Sequence, residues 1–561
     1  MFKFFCNKLL IFLIISTIIT KSVISKKCGH SEFQKTTQIN YINLSDTKER
    51  ILQDKQWELI RIHIDYTTID SQNSKITDNL IINMKNVVSG SVKILESMIK
   101  VKRLEIPLQI GACRPGILIS PEIYAKGVES DLIIFPLFTK FEDSETEAAA
   151  APCVINKANG RAVAGIISFK ENFDFSKTNA FYNRMIMILH EFIHILAFNP
   201  IFYESFINSN GEKLQYQDVI TSKTINGKIV YKIKTPKVVE TARKYFNCDT
   251  LDGVELEDQG GSGTAGSHWE TRIMYGDIMM SALNTEMVFS EITLALLEDS
   301  GWYQVNYYTG GLFRFGKNRG CSFLTEKCIQ NGISLSRNEF PVIDKAARTC
   351  FAGRSAKGIA FLKEYSQNIP VNNQYFLGNP KKGGFERADY CPITVDYEVE
   401  GWYNGSSCWN GISTYPSGLG ETIGSDSSCF YSSLTFKEDI RIVKYKDVVR
   451  PICHKISCDY VSRTYTVFIR NKHFICDTNG GVISDDEFDG LIDCVDFNLI
   501  CTKTVECGDV IDCVNKKSLP VEPVYDYIPE EMMVIPETDL NFHRKLYLSY
   551  YLLVLFSLYL N

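Results

Sequence analysis

Residues 181–198 read FYNRMIMILHEFIHILAF, an apolar run with two histidines and a glutamate near its centre. A stretch this long and this apolar folds as a helix inside a domain, and it begins just after the turn-prone Lys177 to Asn179. Burying an ionisable trio there is unfavourable unless a metal or polar partners compensate it. Helical positions four apart share a face, so His190 and His194 offer their imidazoles to one ion. Glu191 stands beside that ion, where a carboxylate takes a proton from metal-activated water and passes it to a leaving amine. The HExxH spacing therefore predicts one Zn²⁺ per chain and hydrolysis of peptide bonds in protein or peptide substrates.

A hydrolytic zinc site takes a third protein ligand and keeps its fourth position for water. In the compact form of the motif that ligand is a histidine six residues past the second, but Pro200 occupies the position here. The third ligand is then a downstream glutamate or a histidine from a distant loop. Of the eight histidines, His30 lies in a polar N-terminal stretch and His63 in an expected strand; His454 and His473 fall among C-terminal cysteines, and His543 borders the end. His268 remains, after DQGGSGTAGS, whose Gly260, Gly261, Gly263 and Gly266 free the backbone to turn into a cleft. Eleven residues later, Met279 in GDIMMS is placed to set a thioether beneath the metal, with Met280 as the competing choice.

Both ends of the 561-residue chain depart from its ordinary globular composition. Residues 1–25 put Lys3 and Lys8 before the apolar run Leu9 to Ile19, the order of a secretory signal peptide. Residues 546–561 form a hydrophobic tail that reads as a glycolipid-anchor signal or a membrane segment, after a linker at 516–545 with several prolines. A secretory-pathway protein, extracellular or held at the cell surface, is expected. The net charge of −6 excludes a general basic field, so nucleic acid is not an expected partner.

Cysteine usage agrees with export. Of 18 cysteines, Cys6 lies in the signal, and the remaining 17 read as a disulfide framework with one left over. The isolated Cys28 is the candidate for the odd thiol, which leaves enough for eight bridges. Only Cys113, Cys153 and Cys248 fall between 50 and 315, whereas thirteen fall from Cys321 to Cys513, so a core-driven half precedes a stapled one. Within the first half, LIRIHIDY from Leu59 alternates as a strand, Asp78 to Val101 as an amphipathic helix, and Asp131 to Phe138 and Ala162 to Phe169 as further strands.

At this point the residues resemble the leishmanolysin family of surface metalloproteases. The likeness is carried by HEFIHILAF, by CDTLDGVELEDQGGSGTAGSHWETR (Cys248 to Arg272), by LALLEDSGWYQVNY (Leu294 to Tyr307), and by CSFLTEKC, DYCPITVDY and CDYVSRTYTV further on. The resemblance implies an α+β fold: a metzincin-type zincin catalytic domain, with a twisted sheet and an active-site helix, followed by a disulfide-rich C-terminal domain. It implies zinc bound by His190, His194 and His268, Glu191 as catalytic base, Met279 as the Met-turn, and Cys28 in KKCGHSE as a cysteine switch over the metal. The expected divisions are a pro-region at 26–55, an N-terminal catalytic subdomain at 56–200, an insertion with the third ligand and Met-turn at 201–315, and the cysteine-rich domain at 316–515. One departure stands out: the family pattern HExxHxxGF has glycine where this chain has Ala197, a strain of about 1 kcal/mol if that backbone is left-handed. The alternative reading is an inactive or weakly active member serving as a surface adhesion or structural protein. Asn404-Gly405-Ser406 and Asn43-Leu44-Ser45 are glycosylation acceptors by pattern.

Overall fold

A computed structural model of the chain describes residues 27–501 apart from short internal stretches, among them 45–55, 260–264, 397–406 and 438–447. The signal segment, the linker, the tail, Cys507, Cys513 and the Asn404 acceptor fall outside the described residues, as does Ser45 of the other acceptor. Helix and sheet are mixed throughout, and seven disulfides join the described cysteines, so the α+β, disulfide-rich expectation holds.

The sheet that positions the site has six strands: β1 (Lys27–Cys28), β2 (Asn40–Ile42), β3 (Ile62–Ile64), β4 (Leu132–Thr139), β5 (Thr146–Asn156) and β6 (Ala162–Lys170). Its order is β1-β5-β6-β4-β3, with β2 also on the outer side of β5. Pairing is parallel except between β5 and β6. The continuous apolar text of β4 follows from burial on both faces: Leu132, Ile134 and Phe138 enter one core cluster, Ile133 and Phe135 another.

On the first of those faces lie helix α2 (Asp78–Met98) and helix α3 (Phe181–Leu196), which pack on each other; a shorter helix, α1 (His30–Thr36), packs against β5. Small residues bring the layers together. Gly165 of β6 faces Ile195 of α3 so closely that a Cβ would sit 2.6 Å from it, and Gly90 and Ser91 of α2 lie where α3 crosses at Met185. The stretch Arg184–Phe202 is long and apolar enough to cross a membrane, yet 89% of it is buried within the fold. Ile188, Leu189, Phe192, Ile193 and Leu196 are fully buried, each worth roughly 1.5–3 kcal/mol, which offsets the cost of the polar residues among them.

The alternating segment LIRIHIDY does not form one strand. Trp57–Leu59 pairs antiparallel with Ile99–Lys102, in a different sheet, and only Ile62–Ile64 joins the main sheet. The break falls at Arg61, whose backbone N–H and guanidinium both bind the buried Asp131 carboxylate. The expected helix Asp78 to Val101 likewise ends at Met98, where the chain turns extended at Ile99.

The largest core cluster runs from Ile60 to Val395 and so takes in Phe323, Phe340, Phe351 and Ile393 from beyond residue 315. A separate cluster from Phe430 to Cys501 lies in a second six-stranded sheet that includes Ser427–Ser432, Arg450–Asp459 and Thr464–Ile469. Five of the seven bridges lie between Cys328 and Cys501. Cys28 is the described cysteine outside a disulfide, and it is buried.

Candidate metal centre

Helix α3 presents His190 and His194 one turn apart on its inner side, and His268 approaches from the other side of the cleft. The Nε2 atoms of His190 and His194 are 3.0 Å apart, and that of His268 lies 3.3 Å from His190. Cys28 Sγ completes the group, 3.6 Å from His194 Nε2, and the four ligand atoms all lie within 4.8 Å of one another. None of the three imidazoles is more than 2% exposed.

The outer nitrogens decide what the inner ones are. His190 Nδ1 lies 2.5 Å from the Ile278 carbonyl and His194 Nδ1 2.8 Å from the Phe198 carbonyl. A carbonyl only accepts, so the proton of each ring sits on Nδ1, and each Nε2 brings a lone pair to the centre. His268 Nδ1 faces the Ser267 hydroxyl at 3.1 Å. Lone pairs crowded to 3 Å in a buried site repel unless a cation lies among them, and this donor set fits a metal ion. Burial pushes the His190 pKa down to about 4, against the Ile278 carbonyl, which raises it; the ring is thus held neutral, as a ligand must be.

The backbone around the third histidine is braced by hydrogen bonds on both sides. Glu257 N–H donates to the His268 carbonyl, Gly266 N–H to the Glu257 carbonyl, and Glu270 N–H to the Glu255 carbonyl. On the other side Trp269 N–H donates to the Met279 carbonyl. Glu257 then takes hydrogen bonds from Thr271 and Ser281 on its carboxylate. Met279 is fully buried and adjoins Ile278, the residue that holds His190; Met280 instead lines the cleft and accepts from Gly276 N–H on its sulfur.

Glu191 is fully buried beside the histidines, and neither carboxylate oxygen meets a donor in hydrogen-bond geometry. Burial raises its pKa to about 8, while the nearby Cys28 thiol and Ala150 backbone pull it down. Such a charge is tolerable next to a cation and costly without one. The cleft is lined by Cys28, Met187, His190, Glu191, Met280, Ser281, Ala282 and Leu283.

Ala197 carries no strain. It is absent from the residues with positive φ, and its N–H closes the helix on the Ile193 carbonyl. The cap needs no left-handed residue here, and the expected penalty does not arise. Cys28 itself is held by β1, paired parallel with Thr146–Ala148 at the edge of β5. Farther along the same segment, Phe33 is buried under the Arg114 guanidinium, and Asn40 donates to the Cys113 carbonyl.

Sequence reading did not single out Asp277. Its buried carboxylate accepts from Met279 N–H at 2.6 Å, from Ser290 N–H and from the Thr293 hydroxyl, which in turn accepts from the Trp269 indole. An aspartate two residues before the methionine, after a glycine, is the signal that would have found it. Ser281 and Leu283 have no such signal, because only the folded loop brings them to the cleft.

The leishmanolysin (M8 peptidase) family profile matches residues 77–507. Over 298 residues the chain is 33% identical to the leishmanolysin-like peptidase of Drosophila pseudoobscura pseudoobscura, covering 45% of this chain and 44% of that protein. It is 28% identical over 326 residues to a leishmanolysin homolog of Crithidia fasciculata, covering 57% and 48%. With the leishmanolysin of Leishmania donovani it shares 26% over 366 residues, covering 63% and 58%. The chain spans about half the length of the curated relatives it matches. Since the matched range takes in both long helices, all three clustered histidines and most of the cysteine-rich half, the chain belongs to the leishmanolysin family.

Proposed function

We propose that the chain is a zinc-dependent metalloendopeptidase of metzincin type, with His190, His194 and His268 as ligands of one Zn²⁺, Glu191 as catalytic base and Met279 as the apolar floor. The observation that carries this reading is the convergence of three Nε2 atoms and a thiol sulfur on one point beside a buried carboxylate. Donor spacings of 3.0, 3.3 and 3.6 Å fit nitrogen and sulfur ligands that would share one zinc ion.

Bound zinc supplies a Lewis acid and a water acidified toward a pKa of about 7. Glu191 accepts a proton on its carboxylate and delivers it to the nitrogen of the departing amine. The carbonyls of Ile278 and Phe198 hold two rings in the ligating tautomer. The apolar shell of α3 keeps bulk water from that proton transfer.

Residues 26–55 act in this reading as a pro-region whose Cys28 thiolate fills the fourth position until the segment leaves, and protein or peptide chains are then the substrates. Phe33, Asn40 and the β1 and β2 pairings hold that segment in place. The seven bridges favour an oxidising compartment, hence export guided by residues 1–25 and anchoring or release decided by the tail at 546–561.

Zinc content and peptide cleavage measured together on processed protein test the reading. Glu191→Ala is expected to keep its zinc and to lose on the order of 10²–10⁴ in turnover, and His268→Ala to lose zinc. Equal background cleavage by Glu191→Ala and the parent would sink the peptidase, and zinc retained by His268→Ala would return the third ligand to a carboxylate. Cys28→Ala precursor is expected to be more active than intact precursor; no gain removes the thiol switch.

A further inference from the structure

We propose that Arg387 and Asp396, both from the cysteine-rich half, are positioning residues that set the shape of the substrate-facing wall Ser281–Leu283. The proposal rests on the peptidase reading of the cleft that this wall borders.

Ser281, Ala282 and Leu283 follow the Met279 turn and face the cleft opposite Met187, beside His190 and Glu191. A loop wall has no helix or sheet of its own to fix it, and its backbone groups need partners once buried. Both ends of this one are tied to residues more than a hundred positions away. At the near end, the buried Arg387 guanidinium donates to the Ser281 carbonyl at 2.6 Å. The Ser281 hydroxyl meanwhile donates to Glu257, on the segment that braces His268. At the far end, the Asp396 carboxylate accepts from Thr285 N–H at 3.0 Å and from the Thr285 hydroxyl.

The next residue repeats the pattern. Glu286 places its carboxylate among the Gly353 and Ser355 N–H groups and the Ser355 hydroxyl, at 2.7–2.9 Å. The absence of a side chain at Gly353 leaves room for that approach, since a Cβ there would stand 2.8 Å from the carboxylate as placed. Apart from Glu257, each of these partners belongs to residues 353–396, a region stapled by Cys328–Cys391 and Cys350–Cys429. Arg387 sits in a 3-10 turn four residues before Cys391, whose bridge ties that stretch to Cys328. The cysteine-rich half thereby decides how far the wall stands from the catalytic carboxylate, and with it which side chains fit beside the cleaved bond.

Two measurements test this. In the intact chain, amide hydrogen exchange at residues 281–286 is expected to rise by about tenfold or more in Arg387→Met, through loss of a charge-assisted hydrogen bond, with residues 185–196 unchanged and Arg387→Lys partly restored. In processed protein, the preference between two peptides that differ only in a leucine or an alanine beside the cleaved bond is expected to narrow by about tenfold. The change appears in KM more than in kcat, with zinc content unaltered. Asp396→Asn, isosteric and at the other end of the wall, gives the same signature if Arg387→Met fails to fold. Unchanged exchange and unchanged preference in Asp396→Asn and in any folded Arg387 variant overturn the proposal. A parent protein without zinc or cleavage overturns the peptidase reading instead, and the exchange measurement still decides the wall.

Discussion

The region that carries the histidines and the region beyond residue 400 solve the same problem by different means. Between residues 56 and 315 a two-faced sheet and two long helices bury a continuous apolar cluster, with Cys113–Cys153 as the one bridge wholly inside. Beyond residue 400 the apolar cluster is small, and Cys476, Cys494 and Cys501 are themselves part of it. The lesson is about tolerance. Ligand atoms at 3.0–3.6 Å need neighbours that cannot shift, which close packing provides. A bridge mainly limits the unfolded chain and leaves local geometry freer.

That contrast breaks if the two regions unfold as one. Phe192→Ala, which empties a fully buried ring beside the ligands, is expected to cost about 3–5 kcal/mol and to lower zinc retention. Exchange protection in Thr464–Ile469 is expected to survive it; simultaneous loss in both regions would make them one cooperative unit. Replacing Cys408 and Cys453 by alanine opens a 45-residue loop and is expected to cost about 4 kcal/mol. Here chemical denaturation of the second region is expected to shift while zinc binding does not.

Acid sharpens the comparison. His454 is fully buried in the second region, and burial holds its pKa down to about 4, against the Gly420 backbone, which raises it. Between that value and about 6.5 the unfolded chain binds a proton that the folded chain refuses. Stability present above pH 6.5 is therefore lost as pH falls to about 4, by about 3 kcal/mol. The difference in unfolding free energy between the parent and His454→Leu, followed from pH 7 to pH 4, is expected to show that slope. Equal slopes for the two proteins would remove His454 as its source. The smallest effect is expected at Gly165. An alanine there presses on Ile195 and costs about 1–3 kcal/mol, read as a lower melting temperature with weaker zinc retention.

The helix with its two histidines and carboxylate was legible because an apolar run containing HExxH has few other solutions. His268 was reachable by elimination among eight histidines. Strand β5 was not, because TEAAAAPCVIN reads as neither a β-branched nor an alternating segment; it is a strand because β6 pairs it on one side and the N-terminal segment on the other. The split of LIRIHIDY was hidden for a related reason, since Asp131 lies seventy residues from Arg61. Arg387 and Asp396 leave no local pattern at all.

The N-terminal segment has a consequence for solubility as well as for access to the cleft. Strands β1 and β2 cover the outer side of β5 at Thr146–Ala148 and at Val154–Asn156, and α1 packs against the same strand. If the proposed processing removes that segment, an eleven-residue edge strand is left with unpaired backbone groups, a template for association with another chain. Pro152, which lacks an N–H, and the register shift between Pro152 and Val154 interrupt the edge near its middle. Under that proposal the unprocessed form is the less prone to associate, and Pro152 limits what the bare edge can recruit afterwards.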